Sequence, residues 1–136
     1  MIRISFFIEN YGFLIHSGLF IINTVITAVF GLAFVIIPEQ LLLLYGDSNA
    51  AMEYVGQLFG SALIVFAILT WLVRDSPNNE TLKAITLSLF IGNAIGFVVA
   101  LVGQLEGVVN VLGWSTVVIY LLLSLGFGYF RFKKSS

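Results

Sequence analysis

Four long apolar stretches constrain what this chain can fold into more than any other feature. Each contains about 20 or more mostly apolar residues, which is the length that an α-helix needs to cross the hydrocarbon core of a bilayer. They cover about residues 12–37, 54–73, 82–103 and 108–130. Backbone groups in lipid must pair within their own segment, so each stretch is expected to be helical. The sequence therefore predicts an all-α integral membrane four-helix bundle, forming a single transmembrane domain over residues 1–136.

The composition agrees with a membrane environment and excludes several other classes. Of the 136 residues, 60% are hydrophobic and only 10% are charged, whereas soluble domains carry about 25% charged residues. A chain this short cannot bury so many apolar side chains in a water-soluble core. The net charge of −1 gives no basic surface for nucleic acid. The absence of cysteine excludes disulfides, thiolate metal sites and thiol catalysis. The predicted partner is the lipid bilayer.

The segments between and around the four stretches divide the rest of the chain. Residues 1–11 are expected to form a cytoplasmic or interfacial segment, residues 74–81 a cytoplasmic loop, and residues 131–136 a basic cytoplasmic tail. Residues 38–53 form an outer loop that begins at Pro38. The run "EQLLLLYGD" within it is too short to span a bilayer and too apolar for a free loop. It is predicted to be a short interfacial helix, or a segment that folds back onto the bundle.

The distribution of basic residues predicts the orientation of the chain. The outer connections, 38–53 and 104–107, contain no Lys or Arg. All six basic residues lie in the other segments: Arg3, Arg74, Lys83, Arg131, Lys133 and Lys134. Basic residues in short loops mark the cytoplasmic side of a membrane. We therefore expect a multi-pass protein of the cell inner (plasma) membrane with both termini in the cytoplasm.

Small residues at four-residue spacing predict which helix faces pack closely. Helices in lipid associate through small residues that let their backbones approach. The second stretch has Gly56 and Gly60, and the third has a ladder of Ser88, Gly92, Gly96 and Ala100. These faces are expected to lie against a neighbouring helix, either in the same chain or in a second subunit. They are also the predicted contacts for a homo-oligomer or for partners in a membrane complex.

Polar side chains deep within the stretches are the candidate site residues. Asn23, Asn93 and Tyr120 each lie near the middle of a predicted helix, and an unpaired polar group in hydrocarbon is costly. They are therefore expected to point inward at one level, forming either a hydrogen-bonded clasp between helices or a ligand site. His16, the only histidine, could contact a ligand such as haem or a quinone, or could be a neutral interfacial side chain.

The sequence offers little support for an enzyme. It shows no Ser–His–Asp set at one depth, no carboxylate pair within the stretches and no phosphate-binding loop, and a single histidine cannot form a metal site. We therefore expect no catalytic residues, metal or cofactor. Two functional hypotheses remain. The first is a non-catalytic accessory or scaffold subunit, or a self-associating bundle. The second is a binder or carrier of a small lipophilic ligand (lipid, quinone or haem) in an intramembrane cavity.

The chain resembles a group of small bacterial membrane proteins over about residues 18–131. The resemblance depends on small residues and turn signals, followed by the final segment "GWSTVVIYLLLSLGFGYF". The small residues and turn signals are Gly31, Pro38, Tyr45, Gly46, Ala50, Ala51, Gly56, Gly60, Trp71 and Arg74. In this pattern it looks like the small four-helix proteins of unknown function that are loosely similar to the DoxX-like group. The resemblance implies a four-helix inner-membrane bundle without assigned chemistry, and it transfers no functional residue to this chain.

Overall fold

The computed structural model describes residues 2–133, and these residues are almost entirely helical. The five helices are α1 (Ile2–Ile36), α2 (Pro38–Tyr45), α3 (Ala50–Val73), α4 (Glu80–Leu105) and α5 (Gly113–Phe132). No strand occurs between residues 2 and 133. All of the helices except α2 are long and apolar enough to cross a membrane. The prediction of an all-α, multi-pass membrane protein is therefore confirmed.

The ends of the helices differ most from the predicted ends at the starts of α1 and α5. Helix α1 begins at Ile2 rather than near residue 12, so the segment that contains Arg3 and Glu9 continues the helix. Helix α5 begins at Gly113 rather than near residue 108. The residues before it form turns, and Gly107 there has a positive φ of 71°, a conformation that glycine adopts without the steric cost of a Cβ. Hydropathy alone did not detect these turns because they are also apolar.

Local sequence signals explain where three of the helices start. Pro38 is the first residue of α2, a position where its fixed φ is favourable and its missing N–H costs nothing. The Asn49 side chain accepts a hydrogen bond from the Met52 N–H at 3.0 Å. The Asn79 side chain accepts one from the Leu82 N–H at 2.9 Å. These two caps satisfy N–H groups that the first turns of α3 and α4 would otherwise leave unpaired.

The long helices form two antiparallel pairs, α1 with α3 and α4 with α5. In the first pair the backbones approach closely at two glycines. A Cβ placed on Gly60 would lie 2.7 Å from the Gly31 carbonyl oxygen. In the second pair the ring of Tyr120 lies directly over Gly96. Each pair is thus held by contacts that only a glycine permits at that position.

The two pairs contact each other much less than the helices within each pair do. One end, called the basic end here, holds Arg74 and Lys133, and the other, called the α2 end, holds α2 and the turns at 106–112. A buried apolar cluster joins α1, α4 and α5 toward the basic end, formed by Phe20, Leu82, Leu89, Leu123 and Phe127. Between these ends α3 and α4 scarcely touch, so the bundle has a gap along one side.

The basic side chains predicted to set the topology lie together at the basic end. Arg74 forms an ion pair with Asp75 at 3.2 Å, and its guanidinium lies 3.7 Å from the centroid of a Trp71 ring. Lys83 pairs with Glu80 at 2.9 Å within α4. Two further basic residues, Arg131 and Lys133, lie at or just beyond the end of α5, and Lys134 lies outside the described residues.

Candidate ligand-binding site within the helical bundle

The gap between the helix pairs contains a cavity of about 510 Å³. Every helix contributes to its lining, and most of the lining side chains are apolar. Native protein interiors are close-packed and contain few voids larger than a water molecule. A space of this size is therefore a feature of the fold that requires an explanation, rather than ordinary packing.

Apolar side chains line the cavity at both of its ends. Toward the basic end its floor is formed by Leu89 and Leu123, which belong to the buried apolar cluster. Toward the α2 end its roof is formed by Leu42, Tyr45 and Val109. The cavity thus occupies the half of the bundle nearer to α2.

Hydrogen bonds hold the roof together across the two helix pairs. The Asn110 N–H donates to the Tyr45 carbonyl oxygen at 2.8 Å. The Asn110 side-chain amide donates to the Leu44 carbonyl oxygen at 2.7 Å. The Thr116 hydroxyl donates to the Tyr45 hydroxyl at 3.3 Å. These three bonds, called the roof bonds below, connect α2 to the start of α5.

The side of the cavity is open between α3 and α4. Lining residues on the two helices that border the gap remain exposed, with Phe59 at 43%, Phe66 at 44% and Val99 at 66%. These two helices are long and apolar enough to cross a membrane, so in a bilayer side chains along the gap would meet acyl chains.

The predicted residue Asn23 lines the cavity and is fixed by a buried polar group on α3. Its side chain is only 2% exposed, and its amide donates to the Thr70 hydroxyl at 3.4 Å. The Thr24 and Thr70 hydroxyls are 2.7 Å apart, and the Thr70 hydroxyl also bonds the Phe66 carbonyl oxygen at 2.8 Å. Asn23 therefore acts in part as a clasp between α1 and α3.

Asn93 and Tyr120 also line the cavity, but no hydrogen bond joins them to each other or to Asn23. The Asn93 amide donates to the Leu89 carbonyl oxygen of its own helix at 2.7 Å. The Tyr120 hydroxyl has no hydrogen bond to any residue between 2 and 133. The three predicted residues are thus brought to one cavity, where they are separated by open space instead of forming a direct clasp.

His16 is separated from the other three predicted site residues. Its ring packs against Phe20 and Phe130, with centroid distances of 4.7 and 5.3 Å, and it is not part of the cavity lining. The reason is its position along α1. His16 is about two turns closer to the basic end than Asn23, so the apolar cluster around Phe20 and Phe127 lies between it and the cavity.

The small residues of α4 do not all serve the same purpose. Gly96 contacts Tyr120, but a Cβ on Gly92 would meet no atom within 4 Å. Gly92 and Ala100 line the cavity, together with Ser88. The predicted ladder therefore forms a smooth wall of the cavity, with close helix packing at Gly96.

On α3, by contrast, Gly56 and Gly60 are both buried and face Phe34 of α1.

The largest part of the site that the sequence analysis missed is an aromatic wall. Phe30 and Phe34 on α1, with Phe59 and Phe66 on α3, line the cavity. Within each helix the two positions lie four or seven residues apart, a spacing that places them on one helical face. That signal was present, but it is weak in a chain with 13 phenylalanines.

The chemistry of the lining limits what the cavity can hold. Within residues 2–133 no Asp, Glu, Lys, Arg, His or Met contributes to it, and the same range contains no group of three or more His, Asp or Glu that could hold a metal ion. The polar lining groups are neutral amides and hydroxyls. The arrangement therefore suits an uncharged ligand, and a histidine ligand to haem is not available inside it.

The fold and the cavity define a multi-pass helical membrane protein with an internal apolar cavity. Comparisons with models of protein families, with curated proteins and with solved structures find no match for this chain. The resemblance to small DoxX-like membrane proteins therefore stays a prediction.

Proposed function

We propose that this protein is a non-catalytic membrane protein that binds or carries a small lipophilic ligand in the cavity between its two helix pairs. The observation that supports this proposal most strongly is the cavity itself, at about 510 Å³. Ligand sites in proteins are clefts of about 300–1,000 Å³, mostly apolar, with a few polar groups that orient the ligand. Asn23, Asn93 and Tyr120 supply such groups here.

The alternative hypothesis, a scaffold or self-associating subunit, has less support from the geometry. It depended on small-residue faces that could contact another chain. Gly56 and Gly60 face α1 of the same chain, and Gly96 faces Tyr120. Gly92 and Ala100 line the cavity. These positions are thus used within one chain, although an accessory role in a larger complex stays a prediction.

We place the protein in a cell inner (plasma) membrane with both termini in the cytoplasm. The support for this orientation is the concentration of Lys and Arg at the basic end, together with the absence of Lys and Arg from the connections at the α2 end. In this orientation the roof of the cavity lies near the outer surface, and the apolar cluster separates the cavity from the cytoplasm.

Filling the cavity tests the proposed function. Gly92→Leu adds a side chain to the cavity wall at a position where an added Cβ meets no atom within 4 Å, so the side chain starts in open space. We expect native mass spectrometry of gently extracted protein to show a bound small molecule on the native chain. The bound mass should be reduced at least tenfold in the variant because the added isobutyl group occupies ligand space.

The matched control is Gly18→Leu. Gly18 is also helical and also open, with no atom within 4 Å of an added Cβ, but it lies outside the cavity. This variant should retain the bound mass. Equal retention in both variants, or no bound mass on the native chain in any membrane extract, would contradict the proposed function.

A further inference from the structure

The walls of the cavity indicate the shape of the ligand that would fit between them. One wall is formed by phenyl rings on α1 and α3, including Phe34 and Phe59, whose centroids are 5.5 Å apart. The opposite wall on α4 is smooth because Gly92 and Ala100 present little or no side chain. A space between aromatic rings and a smooth wall favours a flat group, because aromatic rings gain energy by stacking or edge contact with another ring.

The polar groups of the cavity indicate which chemical groups the ligand would carry. Most of them already have partners: Thr27 bonds the Asn23 carbonyl oxygen at 2.7 Å, Ser88 bonds the Ala84 carbonyl oxygen at 2.9 Å, and Thr116 bonds the Tyr45 hydroxyl. Tyr120 is different, since its hydroxyl bonds no residue within 2–133. A partly buried phenol normally finds a hydrogen-bond partner. Tyr120 thus offers the ligand an O–H donor that no described residue uses.

The absence of charge around the described cavity limits the ligand further. A carboxylate, phosphate or ammonium group in this apolar space would be buried without a counter-ion, at a large cost in free energy. A phospholipid headgroup or an ionised fatty acid therefore fits poorly. Hydrocarbon fits well, and the gap between α3 and α4 lets a chain extend from the cavity into the bilayer.

We propose that the cavity takes an uncharged lipid with a flat, oxygen-bearing ring of the quinone type, which enters sideways between α3 and α4 and accepts a hydrogen bond from Tyr120. This proposal rests on the proposed function and names the chemical class of the ligand. The ring would lie between the phenyl wall and the smooth face of α4, and its carbonyl oxygen would accept the phenolic proton. No covalent or redox step is involved.

Three probes separate this inference from general lipid binding. Decylubiquinone carries a flat ring with carbonyl oxygens, methyl myristate carries a carbonyl oxygen without a ring, and myristate carries a charge. Their affinities for the purified chain in detergent can be compared by native mass spectrometry. We expect decylubiquinone to bind at least tenfold more tightly than methyl myristate, and myristate to bind most weakly.

Two tyrosine variants test the hydrogen bond. Tyr120→Phe keeps the ring that packs on Gly96 and removes the donor, so it should weaken decylubiquinone binding about fivefold, as expected for one neutral hydrogen bond. Tyr54→Phe is the control, because Tyr54 is 62% exposed and lies outside the cavity. It should leave the affinity unchanged.

The outcomes distinguish the two proposals. If methyl myristate binds as tightly as decylubiquinone, or if Tyr120→Phe has no effect, the ligand class proposed here is wrong while the proposed binding function stands. If none of the probes binds, and Gly92→Leu and native protein carry the same bound mass, both proposals are overturned.

Discussion

At the scale of single residues, Thr70 is a buried polar group that joins α1 to α3. It is fully buried, and its hydroxyl contacts both the Asn23 amide and the Thr24 hydroxyl. Interhelical hydrogen bonds in membrane proteins contribute about 0.6 kcal/mol each on average, with a maximum of about 1.7. A residue that makes two of them at one level therefore joins the two helices and also holds Asn23 in place at the cavity.

Replacement of Thr70 by valine should destabilise the protein by about 1–2 kcal/mol, because it removes both bonds and leaves the buried Asn23 amide without its α3 partner. The measurement is unfolding in mixed micelles with increasing SDS. Thr86→Val is the matched control: Thr86 is 3% exposed, but its hydroxyl bonds only the Leu82 carbonyl oxygen of its own helix. Equal midpoints for the two variants would show that the Thr70 bonds contribute nothing.

At the scale of elements, α2 is more than a connection between α1 and α3. It is too short to cross a membrane, yet Leu41 is buried, and Tyr45 and Leu44 accept the roof bonds from Asn110. Helix α2 is therefore a short helix that contacts the bundle through Leu41 and Tyr45. The roof bonds therefore join the two helix pairs at this end of the cavity.

Removal of one roof bond should loosen α2 specifically. Asn110→Ala deletes the side-chain bond to the Leu44 carbonyl oxygen and the bond that the Asn110 side chain accepts from the Leu112 N–H. Only the first of these reaches α2, so amide hydrogen exchange in residues 41–46 should become about fivefold faster, which corresponds to about 1 kcal/mol for one bond. Asn78→Ala is the control, since Asn78 is an exposed residue at the basic end. Unchanged exchange in α2 after Asn110→Ala would mean that packing alone holds the roof.

At the scale of the whole molecule, the helices and three of the cavity-lining residues were predictable, but the size and the walls of the cavity were not. Helix formation follows from the length of each apolar run, which is a local property. The cavity depends on how far apart α3 and α4 lie, which no local pattern encodes. Gly92 and Gly96 show the difference: they belong to the same four-residue ladder, yet one lines open space and the other lies under Tyr120. Likewise, Asn23 and His16 are both polar residues of α1, but they lie at different depths, and only Asn23 lines the cavity.

The orientation in the membrane is a prediction about the whole molecule, and it can be tested cleanly because the chain contains no cysteine. Asp47→Cys places a thiol in the connection between α2 and α3, and Asn78→Cys places one in the connection between α3 and α4. Both residues are exposed. With both termini in the cytoplasm, a membrane-impermeant maleimide should label Asp47→Cys in intact cells. It should label Asn78→Cys only after the cells are permeabilised, because the Arg and Lys residues at the basic end keep that end inside.

The same pair of variants also relates the orientation to the cavity. If the labelling pattern is reversed, the roof formed by α2 faces the cytoplasm, and the positive charge at the basic end does not determine the topology. If both thiols react in intact cells, at least one of the four helices does not cross the bilayer. In that case the gap between α3 and α4 would not face lipid, and sideways entry of a ligand from the membrane would be excluded. Labelling of Asp47→Cys alone therefore supports both the predicted orientation and the route to the cavity.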